Sequence, residues 1–163
     1  MYPKPPIATA TSTREVLVVD DMPEICDFLA ALLGRARSLD VRVRTEINGA
    51  RALDLVRTRP FDLVISDFRM REVDGIELLT AARLTHPQGL RVLMTGYNEI
   101  PATNDRIRQA KVDAYLQKPL RSQDLLLLVL ELMTGNVDIL ASCRSQAREM
   151  ETVGTQVGPE AVL

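Results

Sequence analysis

The sequence predicts a doubly wound α/β fold around a five-stranded parallel sheet, and three observations predict it. Short β-rich runs at 16–19, 41–43, 63–65, 90–94 and 114–116 alternate with five stretches of helical period. Strands separated by helices pair in parallel through right-handed crossovers. The runs at 16–19 and 63–65 are continuously apolar, as inner strands covered on both faces are. The run at 41–43 instead alternates with Arg42 and Arg44 and belongs at an edge. A short second strand at the edge, with acidic residues ending the first and third, gives the strand order 2-1-3-4-5.

Each element follows in turn. Residues 1–14 are rich in Pro, Thr and Ala, lack periodicity and read as a flexible lead. The folded domain is expected over 15–134. In the first helix Ile25, Phe28, Leu29 and Leu32 follow the i, i+3, i+4, i+7 rule and are expected on its buried face. Pro23 suits the first helical position, where its missing N–H is harmless. Ala50, Leu53 and Val56 mark the second helix; Ile76, Leu79 and Ala82 mark the third, opened by Asp74 and Glu77 at capping-box spacing. The fourth, 103–111, is weakly apolar, and the fifth, 122–133, is strongly so, with Ser122 as its expected N-cap. His86 falls in a turn, Met70, Met94 and Met133 are packing residues, and Asp62 is a solvated charge at the wrong end of its strand. Beyond residue 135 the leucine pattern fades: 138–152 could hold one more helix, 154–163 is expected to be disordered, and no recognisable output domain follows the fifth helix.

Composition narrows the function classes. The 163 residues are 46% hydrophobic and 26% charged, with a formal net charge of −2 and no Trp. That is an ordinary soluble mix, with a core built mostly from Leu, Val, Ile and Ala. No Lys or Arg block forms the basic stripe a nucleic-acid surface needs, so direct DNA or RNA binding is not expected. Cys26 and Cys143 fit neither a metal spacing nor a disulfide framework and suit a reducing compartment. No signal-peptide core and no membrane-spanning window is present, so a cytoplasmic location without membrane attachment is expected.

The chemistry should lie beyond the carboxyl ends of the inner strands. Asp20 and Asp21 end the first strand, Asp67 the third, Thr95 the fourth, and Lys118 with Pro119 the fifth. Alone, the acid pair could be a helix cap, Asp67 a strand end and Lys118 a surface lysine; their convergence is hard to ascribe to packing. Two carboxylates about 5 Å apart at an effective dielectric near 20 repel by roughly 3 kcal/mol. Lys118 cannot neutralise three of them, and a hard divalent ion such as Mg²⁺ is the natural partner. The reaction implied is in-line phosphoryl transfer to a carboxylate, helped by positioning and charge neutralisation.

The segments VLVVDD, LVISDFRMREVDG, VLMTGY and YLQKPL, in that order, resemble the receiver domain of two-component response regulators, in particular the stand-alone chemotaxis-regulator type. The resemblance spans 15 to about 134 and implies the flavodoxin-like (βα)5 fold. It implies that Asp20, Asp21, Asp67 and the backbone carbonyl of Arg69 hold Mg²⁺. It implies that Asp67 accepts phosphate from a sensor histidine kinase or a phosphotransfer protein. Thr95 and Lys118 would bind the phosphoryl group, Thr95 and Tyr115 would form the switch, and Lys118–Pro119 would be cis. Apart from its own phosphorylation and dephosphorylation, such a domain is no enzyme. Its usual output face is the fourth helix, fifth strand and fifth helix, serving a downstream protein or self-association. The sequence departs in one place: Arg71 stands after Met70 where the family usually has Pro, which alters loop stiffness rather than chemistry.

Two finer expectations concern the rim and the output face. Arg69 and Tyr97, two residues past Asp67 and Thr95, read either as covers that slow hydrolysis of an acyl phosphate or as ordinary rim residues. Every position of 125–130 is apolar, so Leu126, Leu130 and Met133 are expected either to form an exposed strip for a partner or a second copy, or to be covered by a tail helix folding back. Two rival readings stand beside the receiver. A haloacid dehalogenase-like phosphatase would put its nucleophile first in a D-x-D motif, whereas here the acids are adjacent. A receiver-like scaffold that never accepts phosphate would bind its partner equally well as Asp67→Asn.

Overall fold

The computed structural model describes residues 13–36, 38–96 and 105–135. Five strands alternate with five helices: β1 Arg14–Val19, α1 Pro23–Arg35, β2 Val41–Glu46, α2 Gly49–Thr58, β3 Leu63–Asp67, α3 Gly75–Thr85, β4 Leu90–Thr95, α4 Asp105–Ala110, β5 Ala114–Gln117 and α5 Ser122–Thr134. All four strand pairings are parallel, in the order β2-β1-β3-β4-β5. The expected topology is therefore the observed one. β3 and β4 are buried along their whole length, while β2 leaves Arg42, Arg44 and Thr45 exposed at its edge.

The side-chain period of two sorts the core into two halves. Val16, Val18, Leu63, Ile65, Val92, Met94 and Leu116 face α1 and α5. Leu17, Val19, Val64 and Leu93 face α2 and α3. Helix ends follow local chemistry: Asp74 caps α3 by accepting the Glu77 N–H at 2.9 Å, and Asn48 caps α2 by accepting from Arg51 at 2.9 Å. Pro23 opens α1 as expected.

Four expectations need correction. On α1 the buried stripe is Cys26, Leu29 and Leu33, with Ile25 and Leu32 half-buried at its border; Phe28 is exposed. Phe28 lies about 100° around the helix from Leu29, too far to reach the sheet. On α5 no exposed strip exists: Leu130 and Met133 are buried in the core and Leu126 is half-buried against it. α5 packs against both the sheet and α1, and that broad front absorbs its apolar surface. The N-cap of α5 is Arg121, without a side-chain bond, and Ser122 is already helical. Asp62 is not merely solvated, because its carboxylate accepts the Glu15 N–H at 2.7 Å and staples the start of β3 to β1. The segments 1–12 and 136–163, including Cys143 and the supposed helix at 138–152, lie outside the described residues, as does Tyr97.

A buried cation secures the far end of the sheet. Arg91 on β4 is 5% exposed, donates through Nε to the Lys111 carbonyl at 3.0 Å, and pairs with Asp113 at 3.3 Å. Arg91→Leu removes these bonds and leaves Asp113 half-satisfied. A loss of about 2 kcal/mol is expected in urea unfolding. An unchanged midpoint would show that the bonds contribute nothing.

Candidate functional site

Columns of core side chains turn acidic where the sheet ends. Val16 and Val18 of β1 stand in register with Leu63 and Ile65 of β3. Two residues further along each strand come Asp20 and Asp67, on the same face by the period of two. Met94 beside Asp67 is in register with Leu116, and two residues past Leu116 comes Lys118. The sheet thus projects two acids from the neighbouring columns of β1 and β3 and one amine from the column of β5, one strand beyond.

The charged groups meet directly. Lys118 Nζ lies 2.6 Å from Asp67 Oδ1 and 2.8 Å from Asp20 Oδ2. Asp20 Oδ1 accepts the Met22 N–H at 2.9 Å, and Asp67 Oδ2 accepts the Arg69 N–H at 3.1 Å. Asp20 and Asp67 are buried, whereas Asp21 is exposed and opens the cluster to solvent. One carboxylate oxygen from each of Asp20, Asp21 and Asp67 lies within 4.8 Å of the others. Burial raises the Asp67 carboxyl pKa, and the hydrogen bond and charge of Lys118 only partly offset it. Burial opposes the Lys118 charge too, but its hydrogen bonds to Asp20 and Asp67 win, and its pKa is raised. One ammonium against three carboxylates leaves excess negative charge beside open solvent. Such a donor set, hard oxygens with room for water, fits Mg²⁺.

The remaining expected residues are placed as follows. Thr95 ends β4; its hydroxyl donates to the Gly96 carbonyl at 3.0 Å, and its own carbonyl accepts the Lys118 N–H at 2.8 Å. Tyr115 stands in register with Leu93 and shares the sheet face of Thr95, with its side chain 48% exposed. The Lys118–Pro119 peptide is cis. Arg69 is exposed, and its contact with Asp67 is through its backbone N–H.

Sequence reasoning missed three supports of the site. Gly75 opens α3 so close to β3 that a Cβ there would lie 2.1 Å from the Asp67 carbonyl oxygen. The glycine that follows the capping Asp74 is the local signal of this close approach. Ser66 is buried and donates its hydroxyl to the Asp67 carbonyl at 2.9 Å. The Cys26 thiol reaches the Asp20 carbonyl at 3.5 Å, behind the acid pair. Glu72, in the loop leaving β3, takes φ 68°, a strained value for a residue with a side chain.

A family model described as the response regulator receiver domain matches residues 16–130. The chain belongs to that family. Receiver domains are signalling domains of two-component systems, working between histidine kinases and downstream effectors. The transcriptional regulatory protein ZraR of Klebsiella oxytoca is 40% identical over 106 residues, 65% of this chain and 23% of that protein. The positive alginate biosynthesis regulatory protein of Pseudomonas aeruginosa is 34% identical over 68% of this chain and 43% of its own length. This receiver therefore spans about a quarter to under half of these relatives. Among solved structures, the signal receiver domain of an HD domain-containing protein from Pseudomonas fluorescens Pf-5 superposes with a TM-score of 0.66 at 29% identity, covering 87% of this chain and 97% of that one. The chemotaxis protein CheY4 of Vibrio cholerae shares the fold, with a TM-score of 0.64 at 24% identity, over 74% and 99%. Among the described residues no helix is long and apolar enough to cross a membrane.

Proposed function

We propose that this receiver accepts a phosphoryl group on Asp67 from a phosphohistidine of a sensor histidine kinase or a phosphotransfer protein. The observation that carries the reading is Lys118 Nζ held between Asp67 and Asp20, beside the solvent-facing Asp21. A carboxylate oxygen of Asp67 attacks phosphorus in line; the O–P bond forms as the P–N bond breaks, and the departing imidazole takes a proton from solvent. Asp20, Asp21 and Asp67, with the Arg69 carbonyl, would hold Mg²⁺, which supplies charge neutralisation for the phosphoryl oxygens. Lys118 turns from its carboxylates to a phosphoryl oxygen, and the Thr95 hydroxyl leaves the Gly96 carbonyl to donate to another.

That movement draws Thr95 towards the phosphate and frees space for the Tyr115 ring, now half exposed. The face of α4, β5 and α5 would repack and change its affinity for a downstream protein or a second copy. The unit that switches is 15–134, with 1–14 and 135–163 as extensions, in the cytoplasm. Arg69 and Tyr97 would shield the acyl phosphate from water.

Incubation with acetyl phosphate and Mg²⁺, followed by intact mass, tests the reading. One phosphoryl group should be gained by the native chain and none by Asp67→Asn, nor by the native chain with excess EDTA. Uptake by Asp67→Asn would move the acceptor elsewhere. No uptake by the native protein would favour a scaffold that works without phosphate.

A further inference from the structure

We propose that the outer side of α3 is a homodimer face, closed by a second copy of this chain across a twofold axis. The inference is independent of the phosphorylation reading. α3 carries apolar residues on nearly all sides: Ile76, Leu78, Leu79 and Ala82 are buried, yet Leu84 is 76% exposed, the most exposed large hydrophobic side chain among the described residues. A helix apolar all round calls for cover on each side. Beside Leu84 lies a depression of about 400 Å³, walled by Leu53 and Arg57 of α2 and by Arg106 and Gln109 of α4. A large apolar side chain thus stands at the rim of a hollow with a partly apolar lining.

Charge selects the occupant. Arg57 of α2 and Glu77 of α3 both line the depression and both are exposed. Among the described residues neither side chain has an ion-pair partner. A patch of one sign would suit a partner of the other. This patch carries one unpaired charge of each sign, one apolar knob and one hollow. In an isologous interface residue i meets j of the partner while j meets i. Arg57 of each copy then faces the partner's Glu77, and each Leu84 enters the opposite depression.

Sedimentation of the full chain over a concentration series tests this. The native protein should show a monomer–dimer equilibrium, and Leu84→Glu should weaken it by about a hundredfold or more, the equivalent of losing two buried leucines per dimer. Arg57→Glu and Glu77→Arg should each weaken it about tenfold, because two symmetry-related pairs become repulsive. Arg57→Glu and Glu77→Arg combined should return affinity to within about threefold of native, the recovery expected when Arg57 of one copy faces Glu77 of the other. A native chain that stays monomeric, or a dimer indifferent to Leu84→Glu, overturns the proposal. So does a double reversal that recovers nothing. A large loss of monomer stability in Leu84→Glu would overturn it as well, since the same chain would then be covering Leu84.

Discussion

Gly75→Ala is expected to destabilise the fold by about 3 kcal/mol and to displace the end of β3 that carries Asp67. A Cβ at Gly75 would lie 2.1 Å from the Asp67 carbonyl oxygen, 3.0 Å from its carbonyl carbon and 2.9 Å from Leu93 Cδ1. The leucine tip can turn away, but the β3 backbone cannot, because it is paired on both sides with β1 and β4. Overpacking a core costs about 1–3 kcal/mol, and a clash with backbone belongs at the upper end. The Gly75 N–H also donates to the Phe68 carbonyl at 3.0 Å, so a shift of α3 drags the loop that follows the carboxylate. Gly34→Ala is the control. Its Cβ meets nothing within 4 Å, and in a helix the change should stabilise by about 0.5–1 kcal/mol. Urea unfolding of the two variants reads the difference, and phosphoryl uptake reads the displacement. Should Gly75→Ala unfold at the native midpoint, the close approach is not a constraint.

Gly75 also shows where sequence ceases to be informative. Strand order was legible because it rests on which runs are continuously apolar and which alternate, and burial reproduces that distinction in β3 and β2. The convergence of Asp20, Asp67 and Lys118 was legible because each follows a core column by two residues, a parity that sequence carries. Helix phase was less so. In α5 the run 125–130 has no polar residue to mark an outer side, so periodicity could not say that α1 and the sheet would bury Leu130 and Met133. In α1, Phe28 satisfies the spacing rule but sits at the border of a stripe centred on Leu29, and the neighbours decided its exposure. Close backbone approach, as at Gly75, and ring direction, as at Tyr115, are tertiary facts with no local signature beyond the residue type.

Lys118→Gln should lower the rate of phosphoryl uptake from acetyl phosphate by about 10²–10³-fold, the cost of removing one oriented donor to developing charge. The same change should tighten Mg²⁺ binding. Lys118 Nζ now lies 2.8 Å or less from carboxylate oxygens of both Asp20 and Asp67, the acids proposed to hold the ion, so two cations compete for one set of oxygens. Without the ammonium, Asp20 and Asp67 repel with nothing between them, and a divalent ion is the readiest compensation. The metal-free variant should accordingly be less stable than the native protein, with the loss largely recovered at saturating Mg²⁺. Opposite movements of the two readouts separate a charge role from general damage, because a disordered site would lose metal affinity and phosphoryl uptake together. Calorimetric Mg²⁺ titration beside an uptake time course measures both. Weaker Mg²⁺ binding by Lys118→Gln would mean that the amine organises the acids rather than competing for them, and the proposed transfer of Lys118 from carboxylates to phosphoryl oxygen would then fail.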